Sequence, residues 1–481
     1  MKRVHIEPGA FVDSAGRQVI LRGITVFGPG INPDITAFPD KKAVAGYAEN
    51  GFNAVRLALV WDRAEHETGI YDDGYLRQAV SFVEACRNAG IYVYIVLWQR
   101  HFASFRDGGC GAPVWAADTD AIPYSRLRYN ASQLGYFLNP AVSRAFDNFW
   151  RNSPIAEKGV QDRYADIVRH ILPFFAGREN FLGIDFMSDP YPGTPAVRIM
   201  KSAVSEGLKQ ARKNPGISKT ALFRTYFRSR SSYGIFNFIN DEKLFAEIAD
   251  RGRAASVAFD TGAYSRFLSR MTDAVRSDYP DLGIFAENNY CSNIGVPGRV
   301  LCGRGTALAV NGFDIINGTT AGDVPEGAER LRLIFRRHAE SAAYSASPVI
   351  VGSWGRYQGY DLSRKCIKEQ LEIFDEYCWS ALYLSEDGTL TQELSELLRR
   401  AYPMAVTGRI TGFGYTDENT FTLTYSQKKA GRGRTIIYLP REVKRIECGG
   451  EYEINGNRLE ITTGIGVHTV KIIFTEKEIT L

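Results

Sequence analysis

The sequence predicts an α/β fold, a (β/α)8 TIM barrel followed by a small C-terminal β-sandwich domain. Two patterns carry this expectation. Eight short, β-rich apolar runs recur through the first 400 residues, and most are followed by helical apolar periodicity. After Tyr402-Pro403 the pattern changes to closely spaced strands parted by turn residues. The length, 481 residues, suits one barrel of ~250–400 residues plus a small second unit.

In chain order the eight runs are Val19–Val26, Ala54–Trp61, Ile91–Trp98, Phe181–Met187, Leu282–Glu287, Phe313–Asn317, Pro348–Ser353 and Trp379–Leu384. Asp73–Ala89, with apolar Leu76, Val80, Phe82, Val83 and Ala85, and Glu326–Ala343 read as helices between them. A doubly wound sheet is the alternative, but no glycine fingerprint follows the first strand. Two interruptions, at about 102–148 and 191–258, leave from C-terminal strand ends, where active-site loops are built. The second holds Arg224-Thr-Tyr-Phe-Arg228-Ser-Arg230, read as a solvated basic helix face. Residues 1–400 are thus expected to form the barrel and 401–481 the sandwich. Sandwich strands are expected at Phe421–Tyr425, Thr435–Leu439, Val443–Cys448, Tyr452–Ile454, Leu459–Ile461 and Val467–Phe474.

Composition narrows the function. Hydrophobic residues make up 44% and charged residues 23%, which excludes disordered and collagen-like classes. A net charge of +4 is too small for a dedicated nucleic-acid binder. The seven cysteines are odd in number and show no CxxC spacing, so neither a disulfide framework nor a zinc site is expected, and no cofactor is implied. Cys291 and Cys302 flank one loop; buried free thiols are the simpler reading. The start, Met1-Lys-Arg-Val-His-Ile-Glu-Pro8, has no apolar signal core, and no run of ~18 apolar residues occurs. The expectation is a soluble, cytoplasmic chain, or a secreted one if a signal has been removed.

Particular segments resemble a known family. Asp13-Ser-Ala-Gly-Arg-Gln-Val-Ile-Leu-Arg22-Gly23 and Gly51-Phe-Asn-Ala-Val-Arg56-Leu57 resemble the first two strands of family 5 glycoside hydrolases. A narrower resemblance, to the endoglycoceramidases, covers Gly69-Ile-Tyr71-Asp72-Asp73-Gly-Tyr75-Leu76, Gly111-Ala112-Pro113-Val-Trp115-Ala116 and Phe146-Asp-Asn-Phe149-Trp150-Arg-Asn152. It continues through Gln161-Asp162-Arg163-Tyr164-Ala165, Gly183-Ile-Asp185 and Ala401-Tyr402-Pro403-Met-Ala405-Val406-Thr-Gly408. The order and spread of these pieces carry the resemblance, which leaves out the stretch from Tyr191 to about Ala258.

The resemblance implies retaining cleavage between an oligosaccharide and ceramide, with a glycoside or glycolipid as partner. That chemistry uses two carboxylates about 5 Å apart, an acid/base and a nucleophile. The family's acid/base is the Glu of Asn-Glu-Pro after the fourth strand, and its nucleophile is a Glu ending the seventh. Here the fourth strand runs into Met187-Ser188-Asp189-Pro190, and the seventh ends Val351-Gly352-Ser353-Trp354-Gly355. Asp189 is a methylene shorter than Glu, and Ser353 carries no charge. Trp98-Gln99 stands where the family's third strand ends in His, and Asn317 is expected at the end of the sixth in place of His or Tyr. Arg56, Asp185, Glu287 and Trp379 remain of the family set.

The candidate catalytic residues are therefore Asp189, Glu287 and Ser353, with Arg56, Trp98, Gln99, Ser188, Asn317, Trp354 and Trp379 as candidate substrate-binding residues. Asp189 with Glu287 reads either as a rebuilt acid/base pair, inverting if ~6.5–9.5 Å apart, or as a loop cap beside an ion-pair partner of Arg56. His101 reads as a base or as an ordinary loop histidine. Trp98, Trp115, Trp354 and Trp379 read as an aromatic floor for a sugar ring or lipid, or as core. A glycosidase of altered mechanism, a silent glycan or glycolipid binder, and an unrelated activity on the barrel all remain open.

Overall fold

The computed structural model describes residues 1–105, 108–125, 132–213, 241–313, 328–355, 359, 361–429 and 433–476. Eight parallel strands close into a barrel: β1 (Arg22–Phe27), β2 (Ala54–Leu59), β3 (Tyr92–Leu97), β4 (Phe181–Asp185), β5 (Gly283–Glu287), β6 (Thr306–Gly312), β7 (Val349–Trp354) and β8 (Ser380–Leu384). Seven lie within a few residues of the expected runs. The sixth is a correction, since β6 ends before Phe313. Ala307 and Ala309 lie in the barrel interior, and their small side chains give this run a weak β signal. Asn317 and Arg224–Arg230 lie outside the described residues.

Side-chain alternation along each strand explains where the polar groups gather. Ala54, Tyr94, Leu182, Phe285, Ala307, Ala309, Ile350 and Leu382 belong to one buried cluster inside the barrel, where Tyr94 stacks on Phe285 at 4.1 Å. The hairpin of Val4–Glu7 and Ala10–Asp13 closes the N-terminal end, adding Val4 and Phe11 to that cluster. Two residues further along the strands, the inward positions become Arg56, Glu287 and Asn311. Helices cover the outside; Asp73–Asn88 is capped by Asp72, which accepts from the Tyr75 amide at 2.9 Å, and it buries Leu76, Ala79, Val83 and Cys86.

The loops after β3 and β4 are the long ones. The first contains a hairpin, Arg100–Phe105 with Gly108–Cys110, and the helices Ser132–Leu138 and Pro140–Trp150. The second contains the helices Thr194–Lys213, Glu242–Asp250 and Arg253–Phe259 and runs through a π-helical turn, Asp260–Tyr264. After the barrel, antiparallel strands form sheets of four and seven. The larger sheet reaches across residue 401, because Val19 and Gln18 pair with Ala405 and Val406. Among the described residues, no helix is long and apolar enough to cross a membrane.

Candidate active site

Arg56 is the centre of the C-terminal mouth. It is fully buried on β2, and its guanidinium donates to Ser353 Oγ at 3.0 Å, to Asp185 Oδ2 at 3.1 Å and to Glu287 Oε1. Glu287 is buried too, and its other oxygen accepts from the Asp189 amide at 2.6 Å. Asn311 Nδ2 lies 2.8 Å from Asp189 Oδ1 and 3.1 Å from Glu287 Oε2. Asn293 Nδ2 adds a longer contact of 3.4 Å to Asp189 Oδ1. From behind, Tyr264 of the π-helical turn accepts the Glu287 amide at 3.1 Å.

Asp189 has a left-handed backbone, φ +46°, between Ser188 and Pro190. A non-glycine residue held there is strained, so its surroundings fix it. Gln99 supplies much of that hold: its side-chain amide donates to the Ser188 and Asp189 carbonyls, both at 2.9 Å. Its backbone amide donates to Ser188 Oγ at 2.9 Å, while its Oε1 accepts from the Phe102 amide and the Tyr136 hydroxyl. Gln99 and Ser188, expected to face a ligand, are instead buried against each other.

Three carboxyls gather around one guanidinium, two of them bonded to it directly, and all three are pushed up. Asp185 rises to about 6 and Glu287 to about 8, mainly by burial, with Arg56 opposing. Asp189 rises to about 7, by burial and then by the charge of Glu287. Burial works against the charge on Arg56, yet the carboxylates around it, Glu287 foremost, hold it above its usual range. Asp189 is the partly exposed member of the trio.

The tryptophans divide. Trp98 is half-buried at the mouth, with the Arg56 guanidinium 5.5 Å from its ring and Phe27 at 4.6 Å. Trp115 stands on the loop after β3, edge-on to Trp61. Two expectations are corrected. Trp354 points away from Ser353, as strand neighbours do, and is buried outside the barrel against Phe374 and Tyr383. Trp379 precedes β8, at the opposite end of the barrel, where it stacks on Tyr377 at 4.6 Å. His101 is buried, with Nδ1 3.0 Å from the Tyr124 hydroxyl. Asn311 and Asn293 were not foreseen: misplacing the sixth strand hid the first, and no spacing pattern marks the second. Among the described residues, no group of three or more His, Cys, Asp or Glu is arranged to hold a metal.

A closed parallel barrel with carboxyls and an arginine at its C-terminal mouth, carrying an antiparallel β-domain, is a glycosidase-type architecture. Residues 12–209 match the cellulase domain of glycosyl hydrolase family 5, and residues 400–478 match the family's C-terminal domain; the chain belongs to glycoside hydrolase family 5.

Over 191 residues it is 26% identical to endoglycoceramidase I of Rhodococcus hoagii, covering 38% of this chain and 36% of that one. Over 154 residues it is 29% identical to a glucosylceramidase of Cryptococcus neoformans var. grubii, covering 27% and 20%. The matched stretches thus span well under half of these homologues. In fold, it resembles endo-glycoceramidase II from Rhodococcus sp., solved as a ganglioside GM3 complex, with TM-score 0.74, 21% identity and coverage of 98% of this chain and 100% of that one.

Proposed function

We propose that this protein recognises a glycoside or glycolipid at the barrel mouth without the retaining chemistry of its relatives. The observation that carries this reading is Ser353: where Arg56 meets the end of β7, it meets a hydroxyl. A serine hydroxyl lacks the negative charge with which a carboxylate stabilises an oxocarbenium-like transition state. Family membership and the fold shared with a ganglioside-bound relative favour a sugar-bearing ligand.

Hydrolysis by Asp189 with Glu287 is the second reading, favoured by one observation: a carboxyl near 7 at the solvent edge suits a general acid. An inverting pair fits poorly. Asn311 Nδ2 contacts both carboxylates, so the bonded oxygens stand within about 6 Å of each other, short of the ~6.5–9.5 Å that admits a water. Glu287 has both oxygens engaged, which leaves it poorly placed as a base.

The test is incubation with activated fluoroglycosides and glycosphingolipids. We expect no covalent adduct by intact mass. The paired substitutions Ser353→Glu and Asp189→Glu should produce hydrolysis if the cleft is otherwise intact. A trapped glycosyl-enzyme in the unmodified protein, or a retained anomeric configuration in product by NMR, would overturn the proposal.

A further inference from the structure

We infer that the barrel mouth selects a cationic, donor-rich group, the protonated amine of an amino sugar, with Asp189 as its counter-ion. This rests on the proposal that the mouth is a glycoside site.

The first observation is charge. Asp185 and Glu287 bond directly to Arg56, and Asp189 bonds to Glu287 through its own amide. With all three ionised, one guanidinium leaves the cluster two positive charges short. The second observation is unmet hydrogen-bonding capacity. Asn293 and Asn311 are each more than nine-tenths buried and turn their NH2 groups onto Asp189 Oδ1. Their carbonyl oxygens are buried and have no hydrogen-bond partner among the described residues. Buried acceptors are rarely left unmet, so two of them beside one carboxylate mark a place for donors. A sugar hydroxyl brings one hydrogen and its own lone pairs; an ammonium brings three hydrogens, no acceptor and one of the two missing charges, the other being met by the proton on Glu287, whose carboxyl is raised to about 8. Such a group arrives at Asp189 first, because Asp189 is the partly exposed carboxylate.

Without ligand, the charge deficit is met by protons, and Asp189 is raised to about 7. When the ammonium binds, the Asp189 carboxyl loses its proton to solvent and the ion pair takes its place. Binding and proton release are therefore linked.

The experiment is calorimetric titration of the full chain at pH 6.5, in two buffers of different ionisation enthalpy. The probes are methyl glucosides with a primary amine at C2 or C6, the parent methyl glucoside, and cyclohexylamine. An aminated glucoside should bind about tenfold or more tighter than the parent and release protons. Asp189→Asn should abolish both the advantage and the release. Parent binding as tight as the aminated forms, or aminated binding without proton release, overturns the inference while leaving the glycoside reading in place. Cyclohexylamine binding as tightly as the aminated glucosides, with proton release, supports the counter-ion role and defeats the glycoside reading. If no probe binds, both fall. Proton release is read in the unmodified protein, so a poorly folding Asp189→Asn chain leaves the test intact.

Discussion

At the scale of single residues, burial against charge decides the chemistry of the mouth. Asp189 ionises near 7, well above an unfolded aspartate. A carboxyl raised on folding gives stability that is fully present below its unfolded pKa and is lost as pH rises through the folded one. His338 has the opposite sign: buried, with Asn288 at Nδ1, it is lowered to about 4. Its contribution is present above ~6.5 and is lost as pH falls through about 4. The two slopes oppose each other between about 4 and 7, so they are separated by substitution. Relative to the unmodified protein, Asp189→Asn should flatten the fall in Tm from pH 5 to 8, and His338→Gln should flatten the loss from pH 6 to 4. Melting curves across pH 4–8 check both, and an unchanged Asp189→Asn profile would show that Asp189 is not the group titrating there.

Elements show which parts of the sequence could be read. Seven barrel strands were legible because their apolar runs are long and rich in branched and aromatic residues. The sixth was not, since Thr306-Ala-Leu-Ala-Val310 spends its inward positions on alanine. A propensity scan passes over such a run, yet the interior leaves room for nothing larger once Tyr94 and Phe285 have stacked. That one displacement concealed Asn311 and put the expected sixth-strand end at Asn317. Asp185, Glu287 and Ser353 were legible because each ends, or nearly ends, a well-placed strand; Asp189 follows such an end by four residues, and Arg56 sits in the middle of β2, on a run that is itself clear. Trp379 was not, because a residue just before a strand sits at the closed end of the barrel. The steric reason is testable. Ala309→Leu should overpack the barrel interior and lower stability by about 1–3 kcal/mol in denaturant unfolding. Unchanged stability would mean that the interior beside β6 has space to spare.

For the whole molecule, the question is why a barrel already closed on itself carries the antiparallel unit. The contacts give an answer. The unit's larger sheet is built partly from the chain's beginning, since Val19 and Gln18 hydrogen-bond to Ala405 and Val406, and Ile20 lies in its buried core. The same N-terminal segment supplies Val4 and Phe11 to the plug under the barrel. The junction is tight as well as continuous: Gly51 has φ +78°, and a Cβ there would stand 2.2 Å from the Tyr438 ring. The Tyr402 hydroxyl donates to the Gly51 carbonyl at 2.7 Å, and Arg400 and Arg22 both bind Asp375. The plug and the sandwich are thus one layer folded under the barrel. Truncation after residue 400 should leave the Gln18–Val19 strand without its Ala405–Val406 partner and expose Ile20, while keeping the Arg400–Asp375 ion pair. The expected outcome is a chain that aggregates or melts well below the full protein, with the loss reaching the barrel itself. Gly51→Ala should weaken the same junction in the full chain, combining an unfavourable φ with a clash against Tyr438. A truncated barrel as soluble and as heat-stable as the full chain would show that the plug holds without the sandwich, and that the two are separate units after all.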